Sequence, residues 1–390
     1  MKRYDALVIG AGFAGAISAR RLAEDGDRTV LVLERRDHVG GNAYDCLDES
    51  GILIHKYGPH IFHTNDKRVF DYLSRFTWWR GYQHKVVANI PDENGDPHRR
   101  LQYPVPFNLD SMEKAFGAEE GRRLGDKLTD TYGAEKKVTI LELRQNPDPE
   151  ISAIADYVYE HIFVHYTMKQ WGQTPEEIDP NTTARVPVFL SRDDRYFQDA
   201  YQGMPLDGYT PLFEKLLDHP NITVELGVDA LKRLELDGAV KLDGEAFDGP
   251  VIYTGQTDEL FGLRFGPLPY RTLDFGFETL PQDFFQTHGT VNYTVDENFT
   301  RITEFKYLTG QEKPDVTTIM REYSRAYTGA DGEIPYYAII NPVNNALYAK
   351  YAELAAQYPN LYLLGRLAEY KYYNMDAIVA RALALTDGLL

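Results

Sequence analysis

The stretch from Ala6 to Asp45, ALVIGAGFAGAISARRLAEDGDRTVLVLERRDHVGGNAYD, constrains the fold more than any other part of the chain. An apolar run, Ala6 to Ile9, ends at Gly10-Ala11-Gly12-Phe13-Ala14-Gly15, a G-x-G-x-x-G between an expected strand and an expected helix. In such a motif the first glycine makes the tight turn and the second lets the backbone approach a pyrophosphate. The third allows close packing of helix on strand, and the helix N-terminus faces the phosphates. A second apolar strand, Thr29 to Leu33, ends in Glu34, at the distance of about 20 residues usual for a ribose-binding acid. The spacing predicts an adenine-dinucleotide socket formed by Gly10, Gly12, Phe13, Ala14, Gly15 and Glu34.

Arg35-Arg36-Asp37-His38-Val39-Gly40-Gly41-Asn42 follows directly. A basic residue and a double glycine at this point resemble the second fingerprint of FAD proteins of the glutathione reductase and amine oxidase type. Paired glycines let backbone amides approach a second cofactor segment, so FAD is expected rather than NAD, with Arg35, Gly41 and Asn42 contributing.

At 390 residues the chain exceeds the size at which one core stops growing. Its net charge of −18 disfavours nucleic acid or an anionic membrane surface as partner, and an anionic substrate would need local arginines. A single cysteine, Cys46, excludes an intramolecular disulfide and a cysteine-cluster metal site, and no metal-ligand spacing is found elsewhere. Met1-Lys2-Arg3 leads straight into the first strand, and there is no apolar run of about 18 residues. A cytoplasmic protein without a membrane span is therefore expected.

Past residue 80 the pattern changes. Lys85 to Ile90 and Leu101 to Phe107 flank a turn-like segment and predict a hairpin. Residues 110–170 read as helices, one starting near Ser111 and one over Ile151 to Tyr166. Residues 221–253 read as strands with tight turns, and residues 270–325 alternate as antiparallel strands do. Leu361 to Leu364 is a last strand ending at Gly365-Arg366. The expected fold is α/β: a Rossmann-like FAD-binding domain from discontinuous segments (1–80, 207–258 and 356–390), a helical insert (108–184), and an antiparallel β-sheet domain (81–107, 185–206 and 259–355).

Several further motifs are more specific. They are Tyr57-Gly58-Pro59-His60-Ile61-Phe62-His63-Thr64, Tyr166-Thr167-Met168-Lys169-Gln170-Trp171-Gly172, Ala184-Arg185-Val186-Pro187, Asp194 to Gly203, Thr300-Arg301-Ile302-Thr303-Glu304, Pro335-Tyr336-Tyr337 and Gly365 to Met375. Together, in this order along the whole chain, they resemble the UDP-galactopyranose mutase family. The resemblance implies interconversion of UDP-galactopyranose and UDP-galactofuranose, the latter for cell-surface glycans, through covalent catalysis by N5 of a reduced FAD without net redox change.

By the same resemblance Arg185 and Arg301 bind the pyrophosphate of UDP-galactose, where removing one such donor costs on the order of 3 kcal/mol of transition-state stabilisation. Phe163 and Tyr166 would contact uracil, Thr167 and Trp171 the ribose–diphosphate stretch, and Tyr196, Tyr337 and Tyr372 the diphosphate. Phe197, Asn292 and Asn374 complete the implied substrate set. His60 and Ile61 lie on a loop along the flavin, with His63 ranked first as its catalytic histidine. Gly365, Arg366, Tyr372, Asn374 and Met375 close the cofactor set. Residues 170–185 read as a mobile loop closing over UDP. Four positions depart from the family pattern: Asn374 replaces a common aspartate, Ala338 a proline, and Phe305 and Tyr307 stand where histidines are frequent. An FAD oxidoreductase of the amine oxidase type, or a nucleotide-binding protein without catalysis, is the alternative, and a homo-oligomer is left open.

Overall fold

The computed structural model describes residues 4–92, 99–172 and 187–390. Arg185, and most of the loop expected to close over UDP, lie outside the described residues. The chain divides into two compact units, residues 1–82, 199–271 and 327–390, and residues 83–198 and 272–326.

The first unit is built on a five-stranded parallel sheet in the order Ile222–Glu225, Val30–Leu33 (β2), Ala6–Ile9 (β1), Val251–Tyr253 and Leu361–Leu363. Its strands come from three separated stretches of chain, as the discontinuous Rossmann-like reading requires. β1 and β2 are buried at every position, which is why both read as unbroken apolar runs rather than alternating ones. Between them Phe13–Glu24 (α1) packs on the C-terminal helix Met375–Asp387. The expected tight turns fall at Gly238 and Gly244, both with positive φ, between the short strands Leu234–Asp237, Ala239–Leu242 and Glu245–Ala246.

In the second unit the sheet runs from the strand Tyr270–Leu280 through Thr317–Ala326, Arg301–Glu304, Thr290–Tyr293 and Val86–Pro91 to Arg100–Val105. Val86–Pro91 and Arg100–Val105 form the expected antiparallel pair, but Val86–Pro91 meets Thr290–Tyr293 in parallel. The helical stretch does not form a core of its own. Ile151, Ile154, Val158 and Phe163 share one buried cluster with Val86, Ala88, Tyr103 and Val105 of the strands. The helix expected at Ser111 begins at Leu109, because Asn108 is its N-cap and accepts the Ser111 N–H at 2.9 Å. The helix expected over Ile151 to Tyr166 is interrupted: Pro149–Val158 and His165–Trp171 are joined by a π-helical stretch, Tyr159–Val164.

Candidate active site

The C-terminal ends of β1 and β2 open onto a cleft of about 350 Å³ lying wholly within the first unit. Its glycines have distinct physical roles. Gly10 has φ +99°, and a Cβ there would sit 2.2 Å from Thr254 Oγ1. A Cβ on Gly15 would lie 1.9 Å from the Gly10 carbonyl oxygen, so this glycine serves packing beneath the cleft. Gly12 differs from both. A Cβ there would meet nothing nearer than Gly41 Cα, at 3.6 Å, and its φ of −80° suits any residue. The protein's own packing does not demand glycine at position 12; what its absent side chain leaves clear is the cleft. Gly12 is also the N-cap of α1 and makes no side-chain capping bond, so the first N–H groups of the helix are not covered by a capping side chain.

Glu34 sits at the end of β2, buried, and accepts the Ala11 N–H at 2.7 Å and the Arg36 N–H at 2.9 Å. Both bonds fix its carboxylate in the cleft wall. The wall also contains Gly10, Gly12, Phe13, Ala14, Arg35, Gly41, Asn42, His60, Gly365, Arg366, Asn374 and Met375, so most expected cofactor residues converge on one cavity. Gly15, Ile61 and Tyr372 are not part of it. The Tyr372 ring instead faces Tyr337, 6.0 Å between centroids, with the Arg366 guanidinium over it. Asn374 is the N-cap of the last helix without a capping side-chain bond, which leaves its amide on the cleft side.

Sequence reasoning favoured Arg35, which is half exposed and paired with Glu259 at 3.0 Å and Asp229 at 3.7 Å. It missed Arg36. That guanidinium lies over the Tyr57 ring at 4.1 Å and donates to Asn42 Oδ1, while its Nη1 is buried in the cleft wall without a protein partner. The signal was present as the second of two adjacent arginines; both line the cleft, and spacing cannot tell which guanidinium is the more buried. His60 donates its backbone N–H to Nδ1 of the fully buried His55, whose pKa is pulled down to about 4 by burial. His63 does not reach the cleft wall. Its Nδ1 lies 3.0 Å from Asp199 Oδ2.

In the second unit Asn292, Arg301 and Glu322 stand directly opposite one another on three adjacent strands. Arg301 donates through Nε and Nη2 to one oxygen, Oε2, of the fully buried Glu322, both at 2.8 Å. On the same face Thr290 pairs with Thr303. Glu322 Oε1, Asn292 Oδ1 and the hydroxyls of Thr290 and Thr303 are buried with no protein partner. Such groups are rare and call for an explanation. Thr167 is buried and Tyr166 half-buried on the helix ending at Trp171. Phe163, expected against uracil, is instead buried in the core of the unit. Tyr196 packs edge-on against His84 and Phe197. Among the described residues no cluster of His, Cys, Asp or Glu could hold a metal, and no helix is long and apolar enough to cross a membrane.

This fold and cleft define a protein with a dinucleotide-binding, Rossmann-like domain. Residues 8–76 match the NAD(P)-binding Rossmann-like domain family. Two solved structures share the fold: that of reduced UDP-galactopyranose mutase (TM-score 0.71, 16% identity, covering 100% of this chain and 94% of that one), and a putative protoporphyrinogen oxidase from Exiguobacterium sp. 255-15 (TM-score 0.65, 14% identity, 100% and 99%). Residues 161–372 match the UDP-galactopyranose mutase family itself. Similar proteins include UDP-galactopyranose mutase of Mycoplasma pneumoniae (35% identity, 100% of this chain and 96% of the relative) and the probable UDP-galactopyranose mutase of Klebsiella pneumoniae (36%, 100% and 96%). The dTDP-fucopyranose mutase of Escherichia coli is 35% identical over 97% of this chain and 96% of its own length. The chain belongs to the UDP-galactopyranose mutase family.

Proposed function

We propose that this protein interconverts UDP-galactopyranose and UDP-galactofuranose, with FAD as the resident cofactor. The observation that carries the reading is likeness to named mutases along the entire chain, not only across the nucleotide-binding fingerprint. The cleft residues fit a flavin dinucleotide. Gly12 leaves room for a pyrophosphate, Glu34 offers carboxylate oxygens to a ribose, and the buried Nη1 of Arg36 suits a phosphate or ribose oxygen. When bound and reduced, the flavin would supply the nucleophile for the anomeric carbon, which relieves the chain of providing one.

The chain's own residues then bind and orient. Arg301 and, by its motif, Arg185 hold the diphosphate before and after it departs as a leaving group, a role for which guanidinium geometry is suited. Glu322 fixes the Arg301 side chain. By the family resemblance, Asn292, Tyr166, Thr167, Trp171, Tyr196, Phe197, Tyr337, Tyr372 and Asn374 are assigned to the nucleotide and sugar. His60, from the cleft wall, is a better candidate than His63 for the flavin-facing histidine.

A second reading has specific support. The likeness to a dTDP-fucopyranose mutase is as high as that to the UDP-galactose enzymes. The test is to purify the protein, record its flavin spectrum, reduce it with dithionite, and supply UDP-galactofuranose and dTDP-fucofuranose separately. Conversion of the first in the reduced state only is the expected result. Preferential conversion of the second replaces the substrate. Oxygen consumption with an amine, and no ring contraction or expansion, refutes the mutase reading.

A further inference from the structure

Lys169 belongs to the helix His165–Trp171, and its side chain is half-buried. Nζ donates to three backbone carbonyls of a single connection: Tyr293 at 2.6 Å, Glu297 at 3.0 Å and Phe299 at 3.4 Å. That connection joins the strands Thr290–Tyr293 and Arg301–Glu304, so it is bracketed by Asn292 and Arg301. Tyr166 and Thr167 lie on the lysine's own helix, within the turn before it. An ammonium carries several donors and no acceptor, and is the side chain that can gather converging carbonyls at one point. The π-helical stretch before the helix is tied to the start of the same connection by Thr294 Oγ1 to the His161 carbonyl at 2.5 Å, and the helix itself to the strand Thr317–Ala326 by Ser324 Oγ to the Gln170 carbonyl at 2.6 Å. Neither of those touches the connection beyond residue 294.

We propose that Lys169 is a positioning residue, which locks the helix bearing Tyr166 and Thr167 to the hairpin bearing Asn292 and Arg301 and so fixes the spacing at which a nucleoside diphosphate is held. This rests on the function proposed above. Burial, the dominant cause, lowers the lysine's pKa, and Glu297 and Asp296 oppose that shift in part, Glu297 being anchored in turn by Arg100 at 2.9 Å. A purely structural lysine would be replaceable by any residue that preserves the fold. A positioning lysine would not.

The experiment uses the flavin-loaded protein, wild type beside Lys169→Met and Lys169→Gln. Calorimetry gives the Kd of UDP, the visible spectrum gives flavin content, a thermal melt reports the fold, and kcat and KM are measured with UDP-galactofuranose. The expected result is a tenfold or larger rise in the Kd of UDP and in KM for the methionine variant. The glutamine variant, which retains one donor, falls between, and flavin content stays at the wild-type level in both. A Kd within twofold of wild type in both variants overturns the inference and leaves the proposed function standing. So does loss of flavin, fold and UDP affinity together in both. Wild type that binds flavin but no nucleoside diphosphate sinks the proposed function, and the inference with it.

Discussion

Replacing Gly12 with alanine separates what the cleft does from what the fold needs. The new methyl would lie 3.6 Å from Gly41 Cα and 3.9 Å from Gly41 N, ordinary contacts, on a backbone with φ −80°. Exchanging glycine for alanine at an N-cap costs at most about 1 kcal/mol. Reduced freedom of the unfolded chain returns about 0.4–1 kcal/mol. The apoprotein should therefore melt within a few degrees of wild type. Its affinity for FAD should fall. A methyl in the path of the pyrophosphate that displaces even one charge-assisted hydrogen bond removes about 1.5–3 kcal/mol, roughly ten- to a hundredfold in Kd. At a hundredfold excess of FAD over the wild-type Kd, ligand stabilises the native state by about 2.7 kcal/mol. In the variant that increment should fall to about 0.4–1.4 kcal/mol. Gly15→Ala is the control, since its Cβ would meet the Gly10 carbonyl oxygen at 1.9 Å and overpacking of that kind costs about 3 kcal/mol or more. The assay is a thermal melt of each apoprotein with and without FAD, together with a FAD titration. Gly12→Ala binding FAD as wild type does would refute the assignment of the cleft. Gly12→Ala unfolding as readily as Gly15→Ala would refute the packing argument.

Arg301→Ala and Arg185→Ala should each lower turnover about a hundredfold while FAD stays bound, corresponding to about 3 kcal/mol; near-normal turnover by a reduced variant removes that arginine from the site. Glu322→Leu leaves the Arg301 charge without its buried partner and should destabilise the protein by about 3–5 kcal/mol in urea unfolding, whereas an unchanged midpoint would show the pair to be dispensable. His55 has its pKa lowered from 6.5 to about 4 by burial, so below pH 6.5 the unfolded chain binds a proton that the folded one refuses. Its contribution is present above pH 6.5 and is lost as pH falls toward 4, by up to about 3 kcal/mol. His55→Asn should flatten the stability-versus-pH curve across that window relative to wild type, and parallel curves would show that the histidine is not buried neutral.

The parallel sheet and the cleft were legible in the sequence because glycine spacing and unbroken apolar strands report backbone geometry directly. β1, β2 and the turn between Gly10 and Gly15 needed no tertiary information. The choice between Arg35 and Arg36 did need it, since adjacent residues differ only in which way the chain carries them at the end of β2. The same limit applies to His60 and His63. Both sit in one motif, yet His63 points to Asp199, which arrives from a distant stretch of chain. The interruption of the helix at Tyr159–Val164 has no mark in the apolar pattern, because a π-helical stretch still buries Tyr159, Ile162 and Phe163. Ser111 looked like a helix start because serine caps helices, but Asn108 precedes it and takes the bond first. Glu322 carried no motif at all, and only strand register brings it opposite Arg301.

One strand sets a buried carboxylate that the fold satisfies beside buried polar groups that it does not. Arg301, Ile302, Thr303 and Glu304 alternate between the two faces of the sheet, so Arg301 and Thr303 share one face while Glu304 points to the other. Glu304 is fully buried and fully used, accepting the Phe285 and Gln286 N–H groups at 2.8 and 3.0 Å and the Thr317 hydroxyl at 2.6 Å. It closes a loop, and the carboxylate is satisfied within the fold. On the opposite face Thr303, Thr290, Asn292 and Glu322 each keep a buried oxygen without a protein partner. Leaving such a group unmade costs about 1–3 kcal/mol, and an apolar residue of similar shape would avoid the penalty. A face evolved only to pack would have been valine and leucine, as β1 and β2 are. That four polar groups converge around Arg301 instead is a stability cost that water or a bound polar molecule can offset and packing cannot. The row lies on the strands that carry Asn292 and Arg301, the residues assigned to the nucleotide sugar in the proposed function.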